Sequence, residues 1–349
     1  MSGRDRGALA RRLVFMLVAA LAVGLAAGCG GSDDESSGEG SSSESLTPIS
    51  FSLDFLIDGR YAPWFVAKEK GFYEDAGLDV TINPSQGAQE AVQALAAGRA
   101  DAAFTDMGQL MVAKAQQDAP GKLVAVIYAN PPYALFSAKE DDYTTPDSLI
   151  GKKIGTNAGS PMKAIWNILM TRTGIAPSDF EWVNLDPATK PQLLAAGQVD
   201  AIDNYLPSEP LLQQALAPEG VNAIRYSDLG LEIYSNGISF TEDYLNENPD
   251  VVAAFVKASL QGFEYAFEHP DEAAEIMTEV DPTLDPEVVK QQVAVLEELI
   301  NGPGARRNGL GFMDPAIVEE TAEVTKDTYG LSKVPDAAAA FTNDYLPGS

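Results

Sequence analysis

The side chains best suited to chemistry are carboxylates, hydroxyls and aromatics placed where apolar, strand-like runs give way to loops. Asp54, Phe55, Arg60 and Tyr61 stand at and after the end of the first such run, and Trp64 lies one turn into the helix that follows. Gln86 and Gly87, with Ser85, precede a second helix, whose first amides lack intrahelical partners and accept an anion or polar group. Thr105, Asp106 and Met107 end a third strand; Asp106 is read either as a helix N-cap or as a partner for a ligand amine. Further along, Asn157, Gly159 and Ser160 join a strand to a helix, with Pro161 in the first helical position and Ser160 as its cap. Asp186 lies on a loop, and Asp203, Asn204 and Tyr205 follow another strand. These groups can donate, accept and stack, which is the chemistry of recognition.

Catalytic chemistry fares worse. The chain has one cysteine and one histidine, which removes an internal disulfide, a Cys/His metal site, and a Ser/His/Asp or Cys/His nucleophile system. His269, before Pro270, reads as an exposed junction between helices and is assigned no chemistry. No cofactor and no metal is expected. An excess of 51 acidic over 23 basic residues, a net charge of −28, repels a phosphate backbone and excludes nucleic acid as a partner.

The elements that must hold these residues alternate. Ile49 to Phe55 reads as a strand, and Ala62 to Lys70 as a helix closed by Gly71. Leu78 to Ile82 is a second strand and Gln89 to Ala97 a second helix closed by Gly98, with Asp101 to Thr105, Met107 to Gln117 and Lys122 to Tyr128 continuing the pattern. Such alternation implies a mostly parallel sheet covered on both faces. The run Leu95-Ala96-Ala97-Gly98-Arg99-Ala100-Asp101-Ala102 recurs as Leu194-Ala195-Ala196-Gly197-Gln198-Val199-Asp200-Ala201. Each copy ends a helix on Gly and starts a strand at Asp-Ala, so two similar lobes are expected. Tyr133 to Ala138 and Gly230 to Phe240, extended and apolar, flank the second. The expected division is 48–134 plus 237–349 for lobe one and 135–236 for lobe two, with a mostly helical stretch from Thr241 to Leu346 returning to lobe one. Open α/β sheets bind ligands beyond the carboxyl ends of their strands, which places the site in the cleft between the lobes.

The first 47 residues carry no such pattern. Arg4, Arg6, Arg11 and Arg12 precede Leu13 to Ala27, which has no charged side chain and falls short of the roughly 20 apolar residues of a membrane span. The sequence Leu25-Ala26-Ala27-Gly28-Cys29 resembles a bacterial lipobox, with Ala26 where the pattern prefers Leu. Residues 1–28 are therefore read as a signal peptide and Cys29 as the lipidation site; an ordinary cleaved signal with an incidental cysteine is the alternative. From Cys29 to Thr47, Gly, Ser and acidic residues dominate, the composition of a flexible tether.

The block Asp58-Gly59-Arg60-Tyr61-Ala62-Pro63-Trp64-Phe65-Val66-Ala67-Lys68-Glu69-Lys70-Gly71-Phe72-Tyr73-Glu74-Asp75-Ala76-Gly77-Leu78-Asp79-Val80 is similar to one group of proteins. It resembles the substrate-binding proteins of ABC importers in the nitrate/sulfonate/taurine and thiamine-pyrimidine-precursor family. Residues 95–106 and the run 151–161 continue the resemblance, which extends over 48–345. It implies an α/β, two-lobe periplasmic-binding-protein-like fold of type II with a hinged interlobe cleft. It also implies capture of a small solute by lobe closure and delivery to a permease and its ATPase. A monomer on the outer face of the cell membrane, held by lipid at Cys29, is expected.

The candidate residues discriminate among solutes of that family. Phe55, Tyr61, Trp64, Tyr128 and Tyr205 with Asp54, Asp106 and Asp203 favour an aromatic, neutral or weakly basic solute such as a thiamine pyrimidine precursor. Ser160, Thr105 and Arg60 are what a sulfonate, taurine or nitrate would use instead. One branch of the superfamily resembles a fungal pyrimidine synthase that consumes a histidine and carries a cysteine-rich iron motif; with His269 and Cys29 alone, neither requirement is met. A ligand sensor feeding a membrane receptor has the same cleft and is not separated by the sequence.

Overall fold

Ile49 and Phe51 are buried within Thr47–Ser52 (β1), and that alternation sets the first strand against its neighbours. The computed structural model describes residues 45–349 except Gly159, Pro303 and Ser349, so the expected leader, Cys29 and most of the tether lie outside the described residues. After β1 come Ala62–Glu69 (α1), Phe72–Asp75 (α2), Leu78–Asn83 (β2), Ala88–Ala96 (α3), Ala102–Asp106 (β3), Met107–Gln117 (α4) and Lys122–Val126 (β4). The chain then runs through Tyr133–Ala138 (β5), Lys153–Thr156 (β6), Met162–Thr173 (α5), Glu181–Asn184 (β7), Lys190–Ala195 (α6), Ala201–Tyr205 (β8), Glu209–Ala215 (α7) and Val221–Arg225 (β9). It continues as Asn236–Phe240 (β10), Glu242–Glu247 (α8), Pro249–Glu268 (α9), Pro270–Val280 (α10), Pro286–Ile300 (α11), Ala305–Asn308 (α12) and Pro315–Tyr329 (α13).

Two five-stranded sheets result, ordered β2-β1-β3-β10-β4 and β7-β6-β8-β5-β9. β1 pairs in parallel with β2 and β3, while β10, arriving from the second sheet, inserts antiparallel between β3 and β4. The second sheet repeats the scheme, with β5 antiparallel between β8 and β9. Each sheet thus contains one strand brought by a crossing segment. The stretches 127–132 and 226–235 connect the two.

The duplicated junction has the same geometry twice. Gly98 and Gly197 each take φ +64°, ending α3 and α6 in a conformation that side-chain-bearing residues avoid. Asp101 Oδ2 then accepts the Ser50 amide at 2.8 Å, and Asp200 Oδ2 accepts the Lys153 amide at 2.8 Å, tying β3 to β1 and β8 to β6. The C-terminal helices pack on both halves: α13 touches α4 and α5, and α11 touches α7. Gln292 of α11 is buried; its Oε1 accepts the Gly59 amide at 3.0 Å and its Nε2 donates to the Pro207 carbonyl at 2.9 Å. A β-carbon on Gly59 would lie 2.4 Å from that Oε1, so only glycine permits the approach.

β1 ends at Ser52, short of the Phe55 expected from the apolar run. Beyond it, Asp54 accepts hydrogen bonds from Tyr61 and from Asn236 at the start of β10.

Candidate functional site

The loop after β1 folds back on the start of α1 because Asp58 caps the turn Gly59–Tyr61, accepting the Arg60 amide at 3.0 Å. That turn buries Arg60 and Tyr61 against Asp54. The Tyr61 hydroxyl donates to Asp54 Oδ1 at 2.5 Å and accepts from Arg60 Nη2 at 2.7 Å, while Asn236 Nδ2 donates to Asp54 Oδ2 at 3.0 Å. Burial works against the charge on the Arg60 guanidinium, but Asp58, Tyr61, Asp54 and Tyr128 outweigh it and hold its pKa well above the ordinary value. Burial pushes the Asp58 carboxyl up, opposed by Arg60. Phe55 is exposed and lies under the Arg60 guanidinium, 5.6 Å from ring centroid to Cζ.

Asp106 performs two tasks. Its Oδ1 accepts the Gln109 amide at 2.8 Å and caps α4; its Oδ2 accepts from Ser235 Oγ at 2.9 Å and from the Tyr133 hydroxyl at 3.3 Å. Tyr133 belongs to β5, so this carboxylate on the first sheet reaches the second. Burial raises its pKa, with the Gln109 amide, Ser235 and Tyr133 pulling the other way and Asp54 adding to the rise. The Tyr133 ring meets Tyr205 edge-on at 5.5 Å.

The matching end of the second sheet is built on Asp203. It is fully buried, and Lys190 Nζ donates at 2.7 Å to its Oδ1 and at 2.7 Å to its carbonyl. Thr156 Oγ1 and Ser160 Oγ donate to Oδ2 at 2.5 and 2.9 Å. Lys190 Nζ also reaches Asn157 Oδ1 at 2.9 Å, so one ammonium joins the loop after β6 to the end of β8. Nothing in the sequence pattern singled out Lys190, at the first position of α6; its partner lies thirteen residues on, at a strand end.

Between the two ends lies a cleft of about 670 Å³. Gln86 and Gly87 before α3, Gln109 of α4 and Tyr329 at the end of α13 line it, with Asn157 and Ala158 from the second-sheet loop. Gln86, Gly87 and Asn157 were expected there from sequence; Gln109 and Tyr329 were not. Gly159 lies outside the described residues.

Other expectations need correction. Trp64 is not a stacking wall but core: it is fully buried against Phe51, Phe104 and Phe263, because α1 turns this face into its own lobe. Met107 is likewise buried in a cluster with Leu110 and Val318. Thr105 spends its hydroxyl on Ser239 Oγ at 2.9 Å across the β3–β10 pair and is shielded from solvent. Asp186 is exposed and caps the turn Pro187–Thr189 through the Ala188 amide at 2.9 Å. Ser160 stands one residue before the cap position, since α5 starts at Met162 and Pro161 precedes it. Asn204 Oδ1 accepts the Tyr205 amide at 2.9 Å and Ser208 Oγ at 3.3 Å, bracing the turn after β8.

Residues 59–273 match the family model described as NMT1/THI5 like. The chain belongs to this family. The riboflavin-binding protein RibY of Chloroflexus aurantiacus is 26% identical over 309 residues, which cover 87% of each chain. The formylaminopyrimidine-binding protein of Halalkalibacterium halodurans is 27% identical over 280 residues, 77% of this chain and 82% of that one. Among solved structures, the aliphatic sulphonate binding protein SsuA of Escherichia coli superposes with a TM-score of 0.66 at 16% identity, covering 84% of this chain and 92% of that one. The fold is accordingly that of a periplasmic binding protein.

Proposed function

We propose that this protein is the solute-binding component of an ABC importer and that it captures a small neutral or weakly basic heterocycle between its lobes. The observation that carries the reading is the cleft itself, in which Gln86 and Gln109 of the first half face Asn157 and Ala158 of the second. A ligand filling it touches both halves and shifts the molecule toward the closed arrangement by the difference in its affinity for the two states. Beside it, Asp106, Tyr133 and Tyr205 form a buried seam of carboxylate and aromatic rings, suited to a ring with donor groups. Arg60 is a buried base whose charge acts on Tyr205, and it is already held by Asp58 and Tyr61. A sulfonate or nitrate would find carboxylates there without a free cation. The curated relatives' names, riboflavin-binding and formylaminopyrimidine-binding, agree with a heterocycle. A thiamine pyrimidine precursor fits this description. Delivery to a permease and its ATPase, lipid anchoring at Cys29 on the outer face of the cell membrane and a monomeric state complete the proposal.

Thermal shift of the purified protein against pyrimidines, flavins, taurine, alkanesulfonates and nitrate tests it. A ligand at a hundred times its dissociation constant adds about 2.7 kcal/mol, enough to raise the melting temperature measurably. Stabilisation by ring compounds is the expected result. Stabilisation by sulfonates or nitrate alone would retain the importer role and replace the ligand class.

A further inference from the structure

The cleft lining has a composition that the importer reading does not account for. Six glutamines, Gln86, Gln89, Gln93, Gln109, Gln116 and Gln117, border it from α3, α4 and the residue turn before α3. Gln89 and Gln93 share one face of α3, and Gln109 and Gln116 share one face of α4. Among the described residues, no protein group engages any of these six side-chain amides. Among the described residues no Lys, Arg or His lines the cleft, and the one charged side chain that does, Glu90, is a carboxylate that accepts the Gln86 backbone N–H at 2.6 Å.

Each glutamine side chain offers two donors and an acceptor without a net charge. An array of them complements a chain of hydroxyls or amides, which also donate and accept in alternation. It does not complement an anion, which can only accept, and which would here lie beside Glu90 with nothing to neutralise it. A volume of about 670 Å³ exceeds what a single small ring occupies, leaving room for a substituent.

We infer that the glutamine-lined part of the cleft is a subsite for an uncharged, hydroxyl- or amide-rich substituent of the solute, with the ring held toward Asp106 and Tyr133. The natural solute is then a heterocycle bearing a polyol, sugar or amide tail, and a phosphorylated or sulfonated tail is rejected. This rests on the heterocycle-binding reading above.

Titration calorimetry of the purified full-length protein with matched compounds tests the inference: lumichrome against riboflavin, uracil against uridine, and riboflavin against its 5′-phosphate, with taurine as an anion. In at least one pair the tailed neutral member should bind about tenfold or more tightly than the bare ring, and the phosphate should lose that advantage. In the Gln89→Ala/Gln93→Ala double variant, both on one face of α3, the advantage of the tail should vanish while the bare ring keeps its affinity to within about twofold. Both positions carry solvent-accessible side chains, so folding is retained, and an unchanged melting temperature checks it. Equal binding of tailed and bare rings, equal binding of the phosphate, or equal weakening of both members in the variant overturns the subsite and leaves the heterocycle reading in place. Binding of taurine with no ring compound bound, or no binding at all, overturns both.

Discussion

The two sheet ends are built from the same parts and use them differently. At the end of the second sheet, the Asp203 carboxylate is neutralised by Lys190 and saturated by Thr156 and Ser160, all within one half of the molecule. At the end of the first sheet, Asp54 and Asp106 have no lysine beside them; hydroxyls and amides from Tyr61, Asn236, Ser235 and Tyr133 hold them, and Tyr133 comes from the other sheet. An ion pair sealed inside one lobe is a fixed frame for the loop that carries Asn157. Asp106, held by neutral donors of which Tyr133 comes from across the seam, can exchange those donors for a ligand's, because the exchange leaves no charge unpaired.

This contrast has measurable consequences. Lys190→Met leaves Asp203 buried without its cation and should cost about 3–5 kcal/mol in chemical denaturation, with the second change Asp203→Asn returning part of the loss. Equal losses in the single and double variants would mean that the pair contributes through packing alone. Next in size, Asp106→Ala removes the cap of α4 and should cost about 1–2 kcal/mol, together with a loss of ligand affinity that the Lys190 change produces only indirectly. Gly98→Ala and Gly197→Ala should each cost about 1 kcal/mol, and by the same amount, since a β-carbon at either meets no neighbour within 4 Å and only the backbone conformation is penalised. A large difference between the two would show that the duplicated junctions are not energetically equivalent.

The smallest effect is a slope with pH. Burial raises the Asp106 carboxyl in the fold above its ordinary value of 3.8, so between that value and its folded pKa the native state binds more protons than the unfolded chain. Its contribution to stability therefore falls as pH rises through that window. Denaturation curves of the wild type and Asp106→Asn, which keeps an acceptor for the cap, should diverge in that direction, the wild type losing ground on the variant as pH increases. Glu242 runs oppositely: burial raises its pKa but Lys114 and the Gly121 amide outweigh it, and the stability it contributes is lost as pH falls through its folded value.

The α/β alternation and the duplicated Leu-Ala-Ala-Gly junction were legible in the sequence because they are local: a helix end, a positive-φ glycine and an aspartate that ties the next strand all lie within eight residues. The resemblance around Asp58 to Val80 carried the family for the same reason. What was not legible depends on which way a side chain turns once its element packs. Trp64 stands one helical turn from Tyr61 and was read with it, yet α1 buries it in the lobe core. Lys190 escaped because a lysine before a proline at a helix start looks like surface, and only the packing of α6 against β8 brings it onto Asp203. Ser235 ends one crossing segment and Tyr133 opens the strand that follows the other, where no periodicity marks the inward side.

Gln292 ties Gly59 in the first half to Pro207 in the second through a single neutral amide. Nearby on the same helix, Glu298 pairs with Arg225 of β9 in a further, partly exposed link between the halves that is ionic. Dissolved salt weakens the ionic link within a Debye length of about 8 Å at physiological ionic strength, and leaves the buried amide untouched. Salt therefore loosens one of these two ties and spares the other, so that the halves stay joined through Gln292 in dilute and saline surroundings alike.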